Sequence, residues 1–303
     1  MQRLRDAPTW ARARPQLGLG VLGVLGVRPD ALERALETIT GPTILTVECG
    51  NISTGGFDNF TAVADLAQAH RAGGNPTWVH VDGAVMLLAA ASPSMAAHVR
   101  GLDRLDSWST DGHKLLNVAY DCGIAICRHS AAHRAAMSVQ ASYLEQGTSA
   151  RDPMDWVPEF SRRARGVCVY ATLRSLGRHG LADLVDRTAR MSRRFADQLT
   201  ASGRVVIVND VVSNQVLVRW LAPNGDNAGL ADTIMSAVRA EGVAFFSGTT
   251  YRGERLMRIS VSDWATDEDD VDRATKHCCG TPPAQPPSRH LAECDHRAPS
   301  DDG

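Results

Sequence analysis

Residues 76–84, PTWVHVDGA, and residues 106–128, DSWSTDGHKLLNVAYDCGIAICR, decide how this chain is read. The first is an apolar, β-branched run that stops at Asp82, Gly83 and Ala84, the pattern of a buried strand ended by a turn. The second opens as a short strand, DSWSTD, meets His113 and Lys114, and resumes as a strand at CGIAICR. Working outward, residues 41–50, GPTILTVECG, read as another buried strand bounded by glycines. Residues 31–39, ALERALETI, behind Pro29 and Asp30, read as an amphipathic helix. NISTGGFDNF (51–60) is a loop, FTAVADLAQAHRAG (60–73) a helix, and SMAAHVRGLDR (94–104) helical or irregular. Strands alternating with helices predict an α/β layer fold with a largely parallel sheet.

The flanks read differently. Residues 1–27 lack a helical or strand period. Their G-x-G-x-x-G match at Gly18, Gly20 and Gly23 has no strand before it and runs at once into Gly26 and Pro29, so it reads as an irregular glycine-rich segment. Beyond a polar loop, EQGTSARDPMDW (145–156), helices are expected over 161–180 and 181–202. Strands follow at 205–210, 214–221 and 256–262, with a helix at 230–242 between the last two. The layout expected is a large-domain portion over 28–180 and a small α+β domain over 181–276. The Pro-rich segment from 277 to 303 has no period and reads as a disordered tail.

Composition narrows the class. A formal net charge of −2 gives no global pull toward nucleic acid or an anionic membrane. No apolar run is long enough to span a bilayer. The apolar residues 17–27 are broken by glycines, unlike the core of a signal peptide. Seven cysteines, an odd number, with the first four in apolar segments, fit free thiols in a reducing, cytoplasmic compartment.

In an open parallel sheet, functional groups gather outside the carboxyl ends of the strands. Two such ends are chemically loaded, His80-Val81-Asp82-Gly83-Ala84 and Asp111-Gly112-His113-Lys114. An acid at one strand end and a lysine after a nearby one is the arrangement a pyridine cofactor needs. The amine forms a Schiff base with the cofactor aldehyde, and the acid keeps the ring nitrogen protonated. The same residues also pair as His80-x-Asp82 and Asp111-x-His113, potential metal ligands, but a metal reading leaves Lys114 without a task. In the tail, His277, Cys278, Cys279, His290, Cys294 and His296 match no structural zinc spacing well.

WVHVDGA followed by DSWSTDGHKLLNVAYDCGIAICR resembles the pyridoxal-phosphate-dependent group II amino-acid decarboxylases, of fold type I. The resemblance runs through GNISTGGFDNF, SRRARG, TLRSLGRHGL and the stretch 248–273, and covers about residues 29–275. It implies pyridoxal 5'-phosphate as cofactor, with Lys114 in the Schiff base and Asp82 on the pyridinium nitrogen. Ala84 would lie against the ring, and His113 beside the reacting carboxylate or the phosphate. Thr54 and Asn51 would sit near the ring edge, although a turn that satisfies its own backbone is the alternative. Asp111 would lie near the phosphate. The resemblance also implies a carbon–carbon lyase acting on an amino acid, in a homodimer.

The chain departs from the family in three places. The family's long segment before residue 29, with its phosphate cradle and stacked histidine, has no counterpart, so the expectation is an N-terminally shortened member. The loop EQGTSARDPMDWVPEF contains no tyrosine to return a proton to the α-carbon. The family's C-terminal helix gives way after about residue 274 to the Pro-rich tail. A catalytically impaired homologue serving as a dimerisation partner is the alternative function.

Overall fold

The computed structural model describes residues 20–22, 26–138 and 152–280. Two sheets organise the chain. The first runs β1 (Gly20–Leu22), β2 (Thr43–Glu48), β3 (Thr77–Asp82), β4 (Ser107–Asp111) and β5 (Gly123–Cys127), side by side in that order. The pairs from β1 to β4 are parallel, whereas β5 runs antiparallel to β4. Helices α1 (Pro29–Leu36) and α2 (Phe60–Ala72) connect the first strands. Asn59 caps α2 by accepting from the Ala62 amide at 3.1 Å. Phe60, Val63, Ala64 and Ala67 then fall at helical spacing and are buried.

Period-two patterning gives β2 and β3 one apolar face, in which Leu45, Val47, Val79 and Val81 are each at most 2% exposed. Burying each such side chain stabilises the fold by ~1.5–3 kcal/mol. The opposite face carries Ile44 and Trp78 at its amino end and is polar beyond them. Register places Thr46, Glu48, His80, Asp82, Ser107, Ser109 and Asp111 together there. A parallel sheet ordinarily buries both faces in apolar side chains, so this polar half-surface marks where chemistry can be done.

The second sheet is antiparallel, in the order β6 (Val205–Ile207), β7 (Gln215–Trp220), β9 (Glu254–Ser260) and β8 (Ser247–Tyr251). It packs under α5 (Leu230–Ala240) and α6 (Glu268–Gly280). One long element, α4 (Arg165–Ala201), joins the two halves. Its helical geometry breaks at Gly177, with φ 61° and ψ −172°, a conformation open essentially to glycine alone. The first part of α4 leaves Val167 and Tyr170 exposed, and the second buries Val185, Ala189, Phe195 and Leu199.

Several expectations are revised. A strand, β1, lies inside the glycine-rich stretch read as irregular, because its backbone pairs with β2. Of the helices expected at 161–180 and 181–202, the first starts later, at Arg165, and the two meet earlier, at Gly177. The strand expected at 256–262 is half of a hairpin. β8 and β9 meet at Arg252 and Gly253, both at positive φ (50° and 83°), as a two-residue turn of the primed kind requires. Helix α3 (Ser130–Met137) had no sequence signal. The helix α6 carries His277, Cys278 and Cys279, so regular structure extends into the segment read as a disordered tail. His290, Cys294 and His296 lie outside the described residues, as does the loop up to residue 151.

Candidate active site

The carboxyl ends of β3 and β4 are laced together by backbone hydrogen bonds. Gly83 N donates to Ser109 O at 2.9 Å, and Asp111 N to Ala84 O at 3.3 Å. A Cβ on Gly83 would come within 2.9 Å of that Ser109 oxygen, so the close approach requires glycine. Asp82 and the Asp111–Lys114 turn therefore project from adjacent strand ends. Asp82 Oδ1 accepts from the Ala84 amide at 3.1 Å, and among the described residues no ion pair reaches this carboxylate.

Lys114 lies in the turn after β4, its amide donating to Asp111 O at 3.1 Å. Its Nζ sits 2.9 Å from Asp111 Oδ2, an i,i+3 ion pair. Asp111 thus faces the lysine. Beside a phosphate its charge would repel.

His113 is turned back against the start of β5. Its Nδ1 lies 2.9 Å from the Cys122 amide, which can only donate, and 3.1 Å from the Cys122 carbonyl oxygen, which can only accept, so the ring is anchored to that residue in either tautomer. Its Nε2 lies 3.8 Å from Asp111 Oδ2, and Tyr120 covers the ring at 4.3 Å between centroids.

Asn51 and Thr54 serve their own loop. Asn51 Oδ1 accepts from the amides of Ser53 and Thr54 at 3.0 and 2.9 Å and from Thr54 Oγ1 at 3.2 Å. Thr54 Oγ1 in turn accepts from Gly56 N at 3.2 Å. The turn alternative describes both residues, and the small sheet holds this loop from outside. Ser213 Oγ donates to Gly55 O at 2.8 Å, Asn209 Nδ2 to Thr54 O at 2.8 Å, and Arg258 Nη1 to Ile52 O at 2.9 Å.

Sequence reading passed over two acids. Glu48, the register partner of Asp82, accepts from Asn51 Nδ2 at 2.7 Å. Asp58 accepts from the amides of Val27 and Glu48, both at 2.7 Å. Burial pushes both carboxyls above their ordinary range. The Cys49 thiol between them is pushed up to about 12, chiefly by burial. The period-two alternation of β2 was the available signal for Glu48, since it places that residue on the face of Thr46.

Among the described residues no group of three or more His, Cys, Asp or Glu side chains is arranged to hold a metal ion. No described helix is long and apolar enough to cross a membrane.

Comparison with known proteins agrees with this layout. The family profile described as the pyridoxal-dependent decarboxylase conserved domain matches residues 23–220. The chain is 25% identical over 261 residues to tryptophan decarboxylase 2 of Oryza sativa subsp. japonica, covering 82% of this chain and 52% of that protein. It is 26% identical over 246 residues to 4-hydroxyphenylacetaldehyde synthase of Rhodiola rosea, covering 80% and 49%. The crystal structure of Oryza sativa TDC with PLP and tryptamine superposes with a TM-score of 0.74 at 24% identity, over 84% of this chain and 55% of that one. The chain spans about half the length of the curated relatives it matches. Its fold is that of the type I pyridoxal-phosphate enzymes, a mainly parallel α/β sheet with a small antiparallel one.

Proposed function

The chain belongs to the pyridoxal-dependent decarboxylase family, and on that premise we propose that it binds pyridoxal 5'-phosphate and removes the carboxyl group of an amino acid as carbon dioxide. The observation that carries the proposal is the juxtaposition of Asp82 and Lys114 on adjacent strand ends laced by the Gly83–Ser109 and Asp111–Ala84 hydrogen bonds. The donor set fits the cofactor. Lys114 offers a primary amine for the aldehyde, Asp82 a carboxylate without an ion pair among the described residues for the ring nitrogen, and Ala84 a small side chain beside it. When bound, the cofactor supplies a sink for the electron pair left as the bond from the α-carbon to the carboxyl group breaks.

The protein's own residues have distinct tasks in this proposal. Asp82 holds a proton on the ring nitrogen by the attraction of its charge. Asp111 Oδ2 holds the Lys114 ammonium until that amine is needed. The proton that replaces the carboxyl group comes from His113 or from water. Asn51 and Thr54 shape the neighbouring loop through its backbone. A homodimer is part of the proposal, supported by the exposed apolar side chains of Phe160, Val167 and Tyr170.

Borohydride reduction of the chain loaded with cofactor, followed by peptide mapping, tests the site. The pyridoxyl label is expected on Lys114. A label on Lys276, or on neither of the two lysines, overturns the assignment. Assaying carbon dioxide, amine and aldehyde together identifies the reaction, since the relatives' names include both a decarboxylase and an aldehyde synthase.

A further inference from the structure

His80 is a half-buried imidazole on the polar face of the first sheet, and the proposed reaction gives it no task. It sits in a row of hydrogen bonds with chemically fixed ends. The indole Nε1 of Trp78, which can only donate, gives its hydrogen to Ser107 Oγ at 2.8 Å. Ser107 Oγ lies 2.8 Å from His80 Nδ1, and His80 Nε2 lies 3.3 Å from Ser109 Oγ. At the far end the Ser109 hydroxyl donates, over 3.5 Å, to the Val81 carbonyl oxygen, which can only accept.

The two ends set one direction for every hydrogen between them. Ser109 directs its hydrogen to the carbonyl, so its oxygen accepts from His80 Nε2. With the hydrogen of the neutral ring on Nε2, Nδ1 is bare and accepts the Ser107 hydrogen, while the Ser107 oxygen takes the indole hydrogen. An imidazolium would have to donate from both nitrogens, leaving the Ser107 hydrogen without an acceptor among the described residues. Burial acts in the same sense and lowers the proton affinity of His80 against the pull of Asp82.

The charged groups around this face pull the other way. Glu48 on β2, Asp82 on β3 and Asp111 on β4 are all acids on the same side of the sheet. The nearby basic groups are engaged, Lys114 by Asp111 and the His129 ring, which lies against Trp78, by Asp106. We propose that the one-way ladder Trp78–Ser107–His80–Ser109 holds His80 as the neutral imidazole with its hydrogen on Nε2, so that no cation forms on the strand that carries Asp82. His80 is then a positioning residue. It leaves the Asp82 carboxylate open to a cationic ring nitrogen brought in from outside, a consequence that rests on the function proposed above.

Long-range proton–nitrogen spectra of the full chain, labelled at histidine and assigned with His80→Gln, test the tautomer without any cofactor. The expected pattern is a protonated Nε2 and bare Nδ1, unchanged from about pH 8 to about pH 6, where an ordinary histidine takes up its proton. A hydrogen on Nδ1, or protonation within that range, overturns the proposal. Ser107→Ala removes the donor to Nδ1 and should let His80 titrate in that range; Trp78→Phe, which keeps a ring but no donor, should loosen the tautomer in the same direction. An unchanged His80 in both variants also overturns it.

Titration with pyridoxal phosphate tests the consequence. His80→Gln, neutral, should bind within about threefold of the parent, and His80→Lys, a fixed cation, about tenfold or more weakly. Equal binding by the two variants overturns the positioning role. If the parent itself fails to bind the cofactor, the functional proposal fails while the spectra still decide the tautomer.

Discussion

Asp111→Asn isolates what the acid beside Lys114 does. The ion pair spans 2.9 Å, with the lysine side chain 35% and the aspartate 28% exposed. Water reaches both groups, so the pair is worth ~1 kcal/mol rather than the several expected of a dry one. Breaking it to free the amine therefore slows attack on an aldehyde by about fivefold. The chain has two lysines, and Lys276 stands on the exposed side of α6, which makes it an internal reference. Limited reductive methylation with formaldehyde, read by peptide mass, gives the ratio of Lys114 to Lys276 modification. That ratio should rise about fivefold in Asp111→Asn. An unchanged or lower ratio refutes the restraint. If Asp111 faced the cofactor phosphate instead, the variant would bind pyridoxal phosphate more tightly with no change in the ratio, so the two roles separate cleanly.

Other outcomes follow from the same geometry. Asp82→Asn should cost turnover ~3–4 kcal/mol, a hundredfold or more, while leaving the urea midpoint almost unmoved; comparable kcat in the variant with cofactor bound would remove Asp82 from the ring nitrogen. Glu48 has its folded-state proton affinity raised by burial, so its contribution to stability is full below the ordinary glutamate range and is lost as pH rises through the folded value. Glu48→Gln should abolish that loss, making the variant the more stable form at neutral pH by urea unfolding, and a less stable variant there would contradict the sign. Cys49, pushed up to about 12, should resist a thiol reagent at neutral pH while the exposed Cys168 reacts, as mass mapping of the native chain will show. Leu217→Ala, at a fully buried position of β7, should cost ~2–5 kcal/mol in chemical denaturation.

The first sheet was legible where burial and period agreed. In 41–50 and 76–84, core residues and flanking glycines mark strands between amphipathic helices and hence a largely parallel sheet, while the order β1 to β5 is given by the structure. The direction of β5 was not legible, since GIAIC carries no mark of which way its hydrogen bonds run. Residues 247–251 gave no strand signal because SGTTY lacks large apolar side chains, and its pairing with β9 supplies the order instead. At the candidate site, the position of Asp82, His113 and Lys114 at the ends of neighbouring strands was readable from where the apolar runs stop. What each side chain touches was not. The aim of Asp111 at lysine depends on a turn, and the Trp78–His80 row depends on the register of β3 against β4. For Asn51 and Thr54 the sequence left two readings, and the bonds within their own loop became visible only in the structure.

The break at Gly177 has a mechanical meaning. An unbroken helix of this length would act as a stiff lever, carrying any push on its exposed first segment straight into the core of the small sheet. With φ 61° and ψ −172° at one glycine, and nothing within 4 Å of where a Cβ would stand, the lever is cut and jointed instead. A force applied at Val167 or Tyr170 is absorbed as rotation at that joint. The loop that Ser213, Asn209 and Arg258 grip is thereby insulated from whatever touches that outer segment.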